Sequence, residues 1–316
     1  MERRSTIVFV AGALRSGTTM LRLMLGGNSL INAPGEFDFA FDALGTDAGT
    51  EESAFLDPQI FEKFLRSNRI FLDKNIAVPS EGGIASRVAA LADSLTVEKK
   101  TLVLFIHRNF MSAHEFFPNA KFIHIVRDPR DCSQSAVSMG WSGNVYHGTE
   151  FWLKAEQSWE RLKPLLHVSN YIELKYEDVI ESPEHSMSLV CSFLGVEYHP
   201  KMISLEGTTY YPLDTKHSEL WKRKLSPYDI NLIESRTMAL MMRNGYVPLH
   251  KMARQPGRIE RMGLSIQDRI YRHTFRISRY GIKLWLLELL TRRFGLSDVR
   301  AQILPRITEI DRRYLR

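Results

Sequence analysis

The chain has 316 residues, of which 44% are hydrophobic, and a formal net charge of +6. This length and apolar content suffice for one large folded domain with an appendage, and they exclude wholesale disorder. The charge is uneven, because residues 251–316 carry a net charge of +10 and residues 1–250 a net charge of −4.

The first predicted elements open an α/β unit. Residues 5–14 are a short apolar run typical of a buried strand. A turn rich in Gly, Ser and Thr follows, and residues 18–27 have helical spacing and end in two glycines. Helices are also predicted over 51–67 and 84–95.

Strands and helices continue to alternate downstream. Residues 101–107 and 121–126 are apolar without alternation, which is typical of strands buried on both faces. The dipeptide Asp128-Pro129 is a helix-start signal. The next predicted elements are a helix over 149–167, a strand over 169–174 and a helix that begins near Ser182.

This alternation predicts an α/β fold with a parallel sheet flanked by helices. Beyond about residue 226 only helical patterns occur, and the apolar segment 282–290 is too short to span a bilayer. We therefore predict a main domain over 1–250 and a basic helical C-terminal extension over 251–316. The extension is interpreted as a solvated helical hairpin, with contact to an acidic membrane, a polyanion or a second copy as the alternative.

Targeting signals and cysteines point to a cytoplasmic protein. The N-terminus lacks the long apolar region of a signal peptide, and no segment reaches the roughly 18 apolar residues of a membrane span. Cys132 and Cys191 form neither a CxxC pair nor a zinc-type cluster with histidines. They are expected to be buried thiols in a reducing compartment.

Residues 12–19, GALRSGTT, lie between the first predicted strand and helix. Their frame is close to the phosphate-loop pattern GxxxxGK[ST], in which backbone N–H groups and a helix N-terminus face a phosphate. Thr18 stands where nucleoside triphosphatases carry the lysine that neutralises a Mg-bound triphosphate. We therefore expect a donor with less charge at this point, and Arg15 is the available cation.

A second motif, KFIHIVRDPRDCSQS, covers residues 121–135. Arg127 follows the strand, and Ser135 lies eight residues later, which is about two turns of helix. An arginine at a strand end and a serine on the next helix can therefore converge on one anion.

Together, these motifs resemble those of sulfotransferases that use 3′-phosphoadenosine 5′-phosphosulfate (PAPS). RSGTT at 15–19 resembles the family's 5′-phosphosulfate loop, and RDPRD with Ser135 resembles its 3′-phosphate site. Residues 174–198, LKYEDVIESPEHSMSLVCSFLGVEY, resemble the family's strand–YED–helix block. The resemblance spans roughly residues 5–245 and is nearest to the branch of protein-tyrosine and many bacterial enzymes.

The resemblance implies a P-loop-like α/β domain, PAPS as the sulfuryl donor, 3′-phosphoadenosine 5′-phosphate (PAP) as the product, and no metal. The residues that match the 5′-phosphosulfate loop are Arg15, Ser16, Gly17, Thr18 and Thr19. Those that match the 3′-phosphate site are Arg127 and Ser135, with Tyr176 near the adenine or its phosphate.

Sulfuryl transfer needs a base that takes the acceptor's proton as the acceptor attacks sulfur in line. The resemblance implies Glu36, in APGEFDF, on a loop after the first helix and aimed by a turn at Pro34-Gly35. The alternatives are Asp38, Asp42, His107 at a strand end, and His124 inside an apolar strand.

The transferring group also needs positive charge beyond Arg15. The family's Lys-Thr/Ser-Pro-like string has no clean match here, which leaves Arg108, Lys100 and Lys74 as candidates. Residues 215–226, TKHSELWKRKLS, resemble the family's last donor-contacting stretch. Its candidate residues are Lys216, Trp221, Lys222 and Arg223.

The acceptor's chemistry cannot be inferred from these patterns. Residues 38–60, 75–100 and 140–150 are expected to form its pocket, with Trp141, Tyr146 and His147 as candidate wall residues. The expected partners are a small-molecule, carbohydrate, lipid or peptide acceptor, and no nucleic acid. Two other hypotheses are a phosphate-loop kinase or nucleotide hydrolase, which Thr18 disfavours, and a non-catalytic protein that binds polyanions or membranes through 251–316.

Overall fold

The computed structural model describes residues 7–45, 56–204 and 218–314. Within these ranges a sheet of five parallel strands has the order β2-β3-β1-β4-β5. The strands are β1 (Ile7–Ala11), β2 (Ile31–Glu36), β3 (Thr101–Ile106), β4 (Lys121–Val126) and β5 (Tyr171–Lys175).

Helices connect and cover these strands. Those before β5 are α1 (Thr18–Gly26), α2 (Phe39–Asp42), α3 (Pro58–Ser67), α4 (Arg69–Lys74), α5 (Ile84–Asp93), α6 (Phe110–Phe116), α7 (Pro129–Ser138) and α8 (Val145–Leu162). Those after β5 are α9 (Tyr176–Glu181), α10 (Pro183–Leu194), α11 (Trp221–Lys224), α12 (Pro227–Arg243), α13 (Arg258–Tyr280), α14 (Ile282–Arg293) and α15 (Ser297–Tyr314).

Both faces of the sheet are buried, which explains why its central strands are apolar at most positions and do not alternate between apolar and polar residues. In β1, Phe9 belongs to a core shared with α5 and α8, whereas Val8 and Val10 face a second core shared with α1 and α10. Side chains alternate between the two faces of a strand, so each face needs its own apolar set. The α/β fold predicted from the sequence is confirmed.

The strand β2 was missing from the prediction. Its sequence INAPGE contains residues that are poor strand formers, and its pairing with β3 shifts register between Asn32 and Gly35. An edge strand tolerates proline, which has no N–H, at positions whose backbone points away from the neighbouring strand and need not donate to it. Glu36 therefore ends a strand, and its predicted position on a loop is wrong.

Other boundaries move by a few residues. The helix predicted over 149–167 is α8, which begins four residues earlier at Val145 and ends at Leu162. Asn144 caps this helix by accepting a hydrogen bond from the His147 N–H. Of the helix predicted over 51–67, residues 51–55 lie outside the described ranges, and α3 begins at Pro58.

The predicted extension packs closely on the main domain. The Gly143 N–H donates to Asp268 of α13 at 2.6 Å, and the Asn144 amide donates to the Leu264 carbonyl at 2.8 Å. A Cβ at Gly140 would lie 2.1 Å from the Phe275 ring, so glycine permits this approach. Within the described ranges, the helices are too short or too polar to cross a bilayer.

A buried histidine links the sheet to α8. The His124 Nε2 lies 3.3 Å from Glu156, and the imidazole stacks on Trp159 with ring centroids 4.4 Å apart. Burial alone would lower the pKa of His124, but Glu156 and Glu173 raise this pKa to about 8. His124 therefore belongs to the core, as its place inside an apolar strand indicates, and lies apart from the strand ends.

This pKa predicts a pH-dependent stability. Because the folded-state pKa of about 8 exceeds the unfolded value of 6.5, the contribution is complete below 6.5 and disappears as pH rises through about 8. The difference corresponds to about 2 kcal/mol of unfolding free energy. Urea unfolding measures the free energy of unfolding at about pH 6 and about pH 9. The exposed control His185→Gln should show the full decrease between the two pH values, and His124→Gln a smaller one. Equal losses in both variants would contradict the assignment.

Candidate functional site

A candidate site residue or loop lies at the carboxyl end of every strand. The loop 12–17 follows β1, Glu36 ends β2, His107 follows β3, Arg127 follows β4 and Tyr176 follows β5. Parallel strands end at one edge of the sheet, and ligands of such sheets bind in the crevice where the strand order reverses. That crevice lies beside β1, between β3 and β4.

The loop after β1 depends on glycine. Gly17 has a φ of 98° and precedes α1, and a Cβ there would lie 2.4 Å from the Tyr176 ring. Gly12 is equally confined, because a Cβ would lie 2.6 Å from the Ile125 carbonyl. The helix has no side-chain cap at this end, so its first N–H groups face the crevice.

The two phosphate motifs meet in space. Arg15 Nε donates to the Ser135 hydroxyl at 2.9 Å, and Arg127 Nη1 donates to the Arg15 carbonyl at 3.4 Å. The Arg127 guanidinium lies 4.1 Å from the centroid of the Tyr176 ring. Residues predicted to hold the two ends of one nucleotide are thus brought together.

Two further loop residues differ in exposure. Ser16 is buried, and its hydroxyl has no hydrogen-bond partner in the described part of the chain. Thr19 is exposed on the first turn of α1. A buried hydroxyl without a partner costs free energy unless a ligand satisfies it, so Ser16 fits a loop that binds an anion.

Thr18, His107 and Asp38 form a buried chain of contacts. His107 Nε2 lies 3.1 Å from the Thr18 hydroxyl, and His107 Nδ1 lies 2.8 Å from Asp38. Burial lowers the pKa of His107, but the Asp38 charge and hydrogen bond raise it above its usual value overall. Burial raises the pKa of Asp38, but the opposing effect of His107 is larger, so this pKa lies below its usual value. The pair therefore favours a charged imidazole beside a charged carboxylate.

Glu36 lies beside this chain. Ligand atoms of Glu36, Asp38 and His107 all lie within 4.8 Å of one another, which makes them the candidate metal-binding group of the described residues. The Asp38 carboxylate and His107 Nδ1 already bond to each other, so an ion would have to replace that hydrogen bond. Glu36 is only half-buried and can face an incoming acceptor.

The three candidates for the second cation lie in different places. Lys100 precedes β3 and is at the opposite edge of the sheet from the crevice. Arg108 binds Asp42, with Nε donating at 2.7 Å, and lies 3.8 Å from Asp38. Lys74, at the end of α4, donates to the Pro34 carbonyl beside Glu36.

The structure also brings Arg22 to this place, which the sequence did not indicate. A Cβ at Gly35 would lie 3.3 Å from both the Arg22 Cδ and the Lys74 Nζ. Burial lowers the pKa of Lys74, the Glu36 charge raises it, and Arg22 lowers it, with a net decrease. Two cations therefore flank the strand that ends at Glu36.

Trp221 approaches the second motif. Its backbone N–H donates to Asp131 at 2.9 Å, and the Arg130 guanidinium lies 3.6 Å from its ring centroid. Its indole N–H is buried without a hydrogen-bond partner in the described ranges. Of its neighbours, Lys222 pairs with Glu219 at 2.6 Å, and Lys216 lies outside the described residues.

The candidate acceptor-wall residues separate into two groups. The Trp141 ring centroid lies 5.8 Å from the Arg15 guanidinium, which places this indole at the site. Tyr146 stacks under Arg236 at 4.8 Å, and His147 lies 3.4 Å from the Ser265 hydroxyl. The latter two therefore join α8 to α12 and α13.

Comparison with known proteins supplies independent information. The model of the sulfotransferase family matches residues 8–200. The chain is 25% identical over 204 residues to a Caenorhabditis briggsae protein assigned to the protein-tyrosine sulfotransferases, covering 62% of this chain and 68% of that protein. It is 23% identical over 220 residues to protein-tyrosine sulfotransferase 2 of Gallus gallus, and this match covers 65% of this chain and 55% of that protein.

Similarity also extends to a solved structure. The sulfotransferase domain of the Synechococcus PCC 7002 olefin synthase superposes with a TM-score of 0.58 at 19% identity. The match covers 78% of this chain and 98% of that domain. At this identity the match shows a shared fold.

Proposed function

The chain belongs to the sulfotransferase family, and on that premise we propose that it transfers a sulfuryl group from PAPS to a hydroxyl or amine of an acceptor. The observation that carries the proposal is the hydrogen bond between Arg15 and Ser135. It joins the loop that matches the 5′-phosphosulfate motif to the helix that matches the 3′-phosphate motif. One nucleotide with phosphates at both ends fits this arrangement.

The donor would lie along the strand ends. The 5′-phosphosulfate would contact the N-terminus of α1 and residues 15–19, where Ser16 supplies a buried hydroxyl. Arg127 and Ser135 would hold the 3′-phosphate, with Tyr176 beside the adenine or its phosphate. Neighbouring strands lie about 4.8 Å apart, so Glu36, two strands from β1, would be roughly 10 Å to the other side of the loop.

Glu36 is the proposed base. As the acceptor oxygen or nitrogen bonds to sulfur, the bond from sulfur to the phosphate oxygen breaks, PAP leaves, and the acceptor proton passes to Glu36. Arg15 and Lys74 would stabilise the charge on the transferring group and on the leaving phosphate. Lys74 is favoured over Arg108 because two carboxylates already neutralise the Arg108 guanidinium.

His107 has another part in this scheme. Both of its ring nitrogens already have partners, Asp38 and the Thr18 hydroxyl, which argues against His107 as the base. A protonated imidazole donates from both nitrogens. The Thr18 oxygen would then accept from His107 and direct its own proton to the donor's 5′ end.

For the acceptor we propose a range of chemical classes. Relatives are named for protein-tyrosine sulfation, which supports a phenolic hydroxyl of a peptide beside small-molecule, carbohydrate and lipid hydroxyls. The extension adds an exposed apolar stripe of α13, residues Ile259, Met262, Ile266 and Ile270. The stripe has helical spacing and lies next to basic residues, which supports contact of α13 with a membrane surface or with a second copy of the chain. Such contact would occur alongside the transfer reaction.

Ligand-dependent melting tests the class of activity. PAP at about 100-fold its Kd should stabilise the protein by about 2.7 kcal/mol and raise Tm by roughly 5 °C without added metal. Adenosine, which lacks both phosphates, is the matched control and should have little effect. A larger shift with ATP and Mg²⁺ than with PAP would instead favour the kinase or hydrolase hypothesis. No shift with either nucleotide would favour the non-catalytic binding protein.

A further inference from the structure

A cavity of about 390 Å³ lies between the main domain and the C-terminal helices. We call it the extension cavity; its walls come from α3 and α4, the chain just after α7, and α13, α14 and α15. Its volume falls in the range of small-molecule sites, roughly 300–1,000 Å³. Part of the lining is apolar, including Phe64, Phe275 and Leu304.

The rest of the lining is strongly basic. The arginines in the wall are Arg69, Arg276, Arg279, Arg292 and Arg300. Against these five, the described lining residues include two carboxylates, Glu288 and Asp311. The cavity is therefore cationic as well as apolar.

The two carboxylates are already engaged by some of the arginines. Arg69 pairs with Asp311, Arg279 lies 3.6 Å from the same carboxylate, and Arg292 pairs with Glu288. Among the described residues, neither Arg276 nor Arg300 forms an ion pair with a carboxylate at contact distance, and Glu288 acts on Arg300 only through its charge.

Arg300 carries the clearest sign of an unmet requirement. Its Nε is buried, with no hydrogen-bond partner in the described ranges. Burial and the charge of Arg292 lower the pKa of Arg300, and the Glu288 charge offsets them only in part, so the net effect is a decrease. Arginine in such surroundings is stabilised by a carboxylate or phosphate that accepts its N–H groups in pairs.

Two connections place this cavity next to the proposed reaction centre. Trp141 lines the cavity and also lies 5.8 Å from the Arg15 guanidinium. The helix α4 lines the cavity with its first residues, and its last residue, Lys74, contacts the strand that ends at Glu36. Six helical residues span about 8 Å, which is the distance that an elongated molecule would have to bridge between the two places.

We propose that the extension cavity binds the non-reacting end of the sulfuryl acceptor, and that this end carries a carboxylate or phosphate on an apolar segment. The proposal rests on the proposed function, since the bound molecule is taken to be the acceptor. The apolar walls hold the segment, Arg276 and Arg300 bind the anion, and the hydroxyl at the other end extends past Trp141 toward Glu36. The extension thereby selects anionic, amphiphilic acceptors.

Titration calorimetry with three matched probes tests the proposal. The probes are ω-hydroxylaurate, ω-hydroxylauryl phosphate and the uncharged ω-hydroxylauramide, each titrated with and without saturating PAP. We expect at least one anionic probe to bind about tenfold or more tightly than the amide. The stronger of the two anions identifies carboxylate or phosphate as the natural group. Equal affinity for the amide and both anions would overturn the proposal.

Matched variants locate the binding. Arg276→Gln with Arg300→Gln should weaken the preferred anion about tenfold or more. Arg258→Gln with Arg293→Gln removes the same charge from exposed arginines outside the cavity and should change affinity less than about twofold. Equal losses in the two double variants would refute the cavity as the site.

The probe comparison and the nucleotide measurement fail independently. If the unmodified chain does not bind PAP, the proposed function is wrong. The preference for anions, measured without nucleotide, would still show whether the extension cavity binds an anionic molecule. Normal PAP binding without any preference for anions would leave the proposed function intact and remove this inference.

Discussion

Glu36→Gln is expected to lower turnover by about 10²–10⁴-fold, the usual contribution of a general base. Glutamine keeps the size of the side chain at the end of β2 but cannot take the acceptor's proton. Because Glu36 lies two strands from β1, affinity for PAP should stay within about twofold. Transfer of radiolabelled sulfate from PAPS to a panel of hydroxyl acceptors measures the first effect, and calorimetry with PAP the second.

Two variants show whether the loss is specific. Glu98→Gln changes an exposed carboxylate just before β3, at the opposite edge of the sheet, and should leave turnover unchanged. His107→Gln removes the partner of Thr18 and should impair PAP binding together with turnover, because it disturbs the loop. Normal turnover by Glu36→Gln, with a loss confined to turnover in His107→Gln, would assign the base to His107 instead.

The parts of the fold that the sequence predicted are those with strong local signals. β3 and β4 are apolar at most positions because both faces of the sheet are covered. Asp128-Pro129 starts α7 by a cap in which Asp128 accepts from the Arg130 N–H. β2 lacked such signals, since its Asn, Pro and Gly are disfavoured in strands. Its pairing with β3, which no local pattern encodes, makes it a strand.

In the candidate site, too, features with local sequence signals were predicted and contacts between distant residues were not. The sequence predicted that Arg127 and Ser135 converge, because their motif fixes a strand end and a helix start, and it assigned Arg15 to a separate loop. The hydrogen bond from Arg15 to Ser135, which joins the two motifs, was not predicted. The bond from His107 to Asp38 joins residues 69 apart, and the contact with Thr18 joins residues 89 apart. Contacts across such separations depend on strand order. For the same reason, Arg22 and Lys74 were not predicted to flank Gly35.

Arg127→Met is expected to weaken PAP binding about 10²–10³-fold. A guanidinium can donate two hydrogen bonds to one phosphate, and each bond to a charged group contributes about 1.5–3 kcal/mol. Methionine retains much of the apolar stem that packs near Tyr176 but removes the donors. The backbone should stay in place, because the Trp152 indole donates to the Arg127 carbonyl at 2.9 Å and this bond does not depend on the side chain.

AMP separates a lost phosphate contact from general damage, since it keeps the 5′-phosphate and lacks the 3′-phosphate. The unmodified chain should bind PAP far more tightly than AMP, whereas Arg127→Met should bind the two with similar affinity and leave the affinity for AMP within about twofold. Arg127→Lys should be intermediate, because an ammonium supplies the charge without the planar pair of donors. Equal weakening of PAP and AMP would show that Arg127 supports the loop through the Arg15 carbonyl and does not bind the 3′-phosphate.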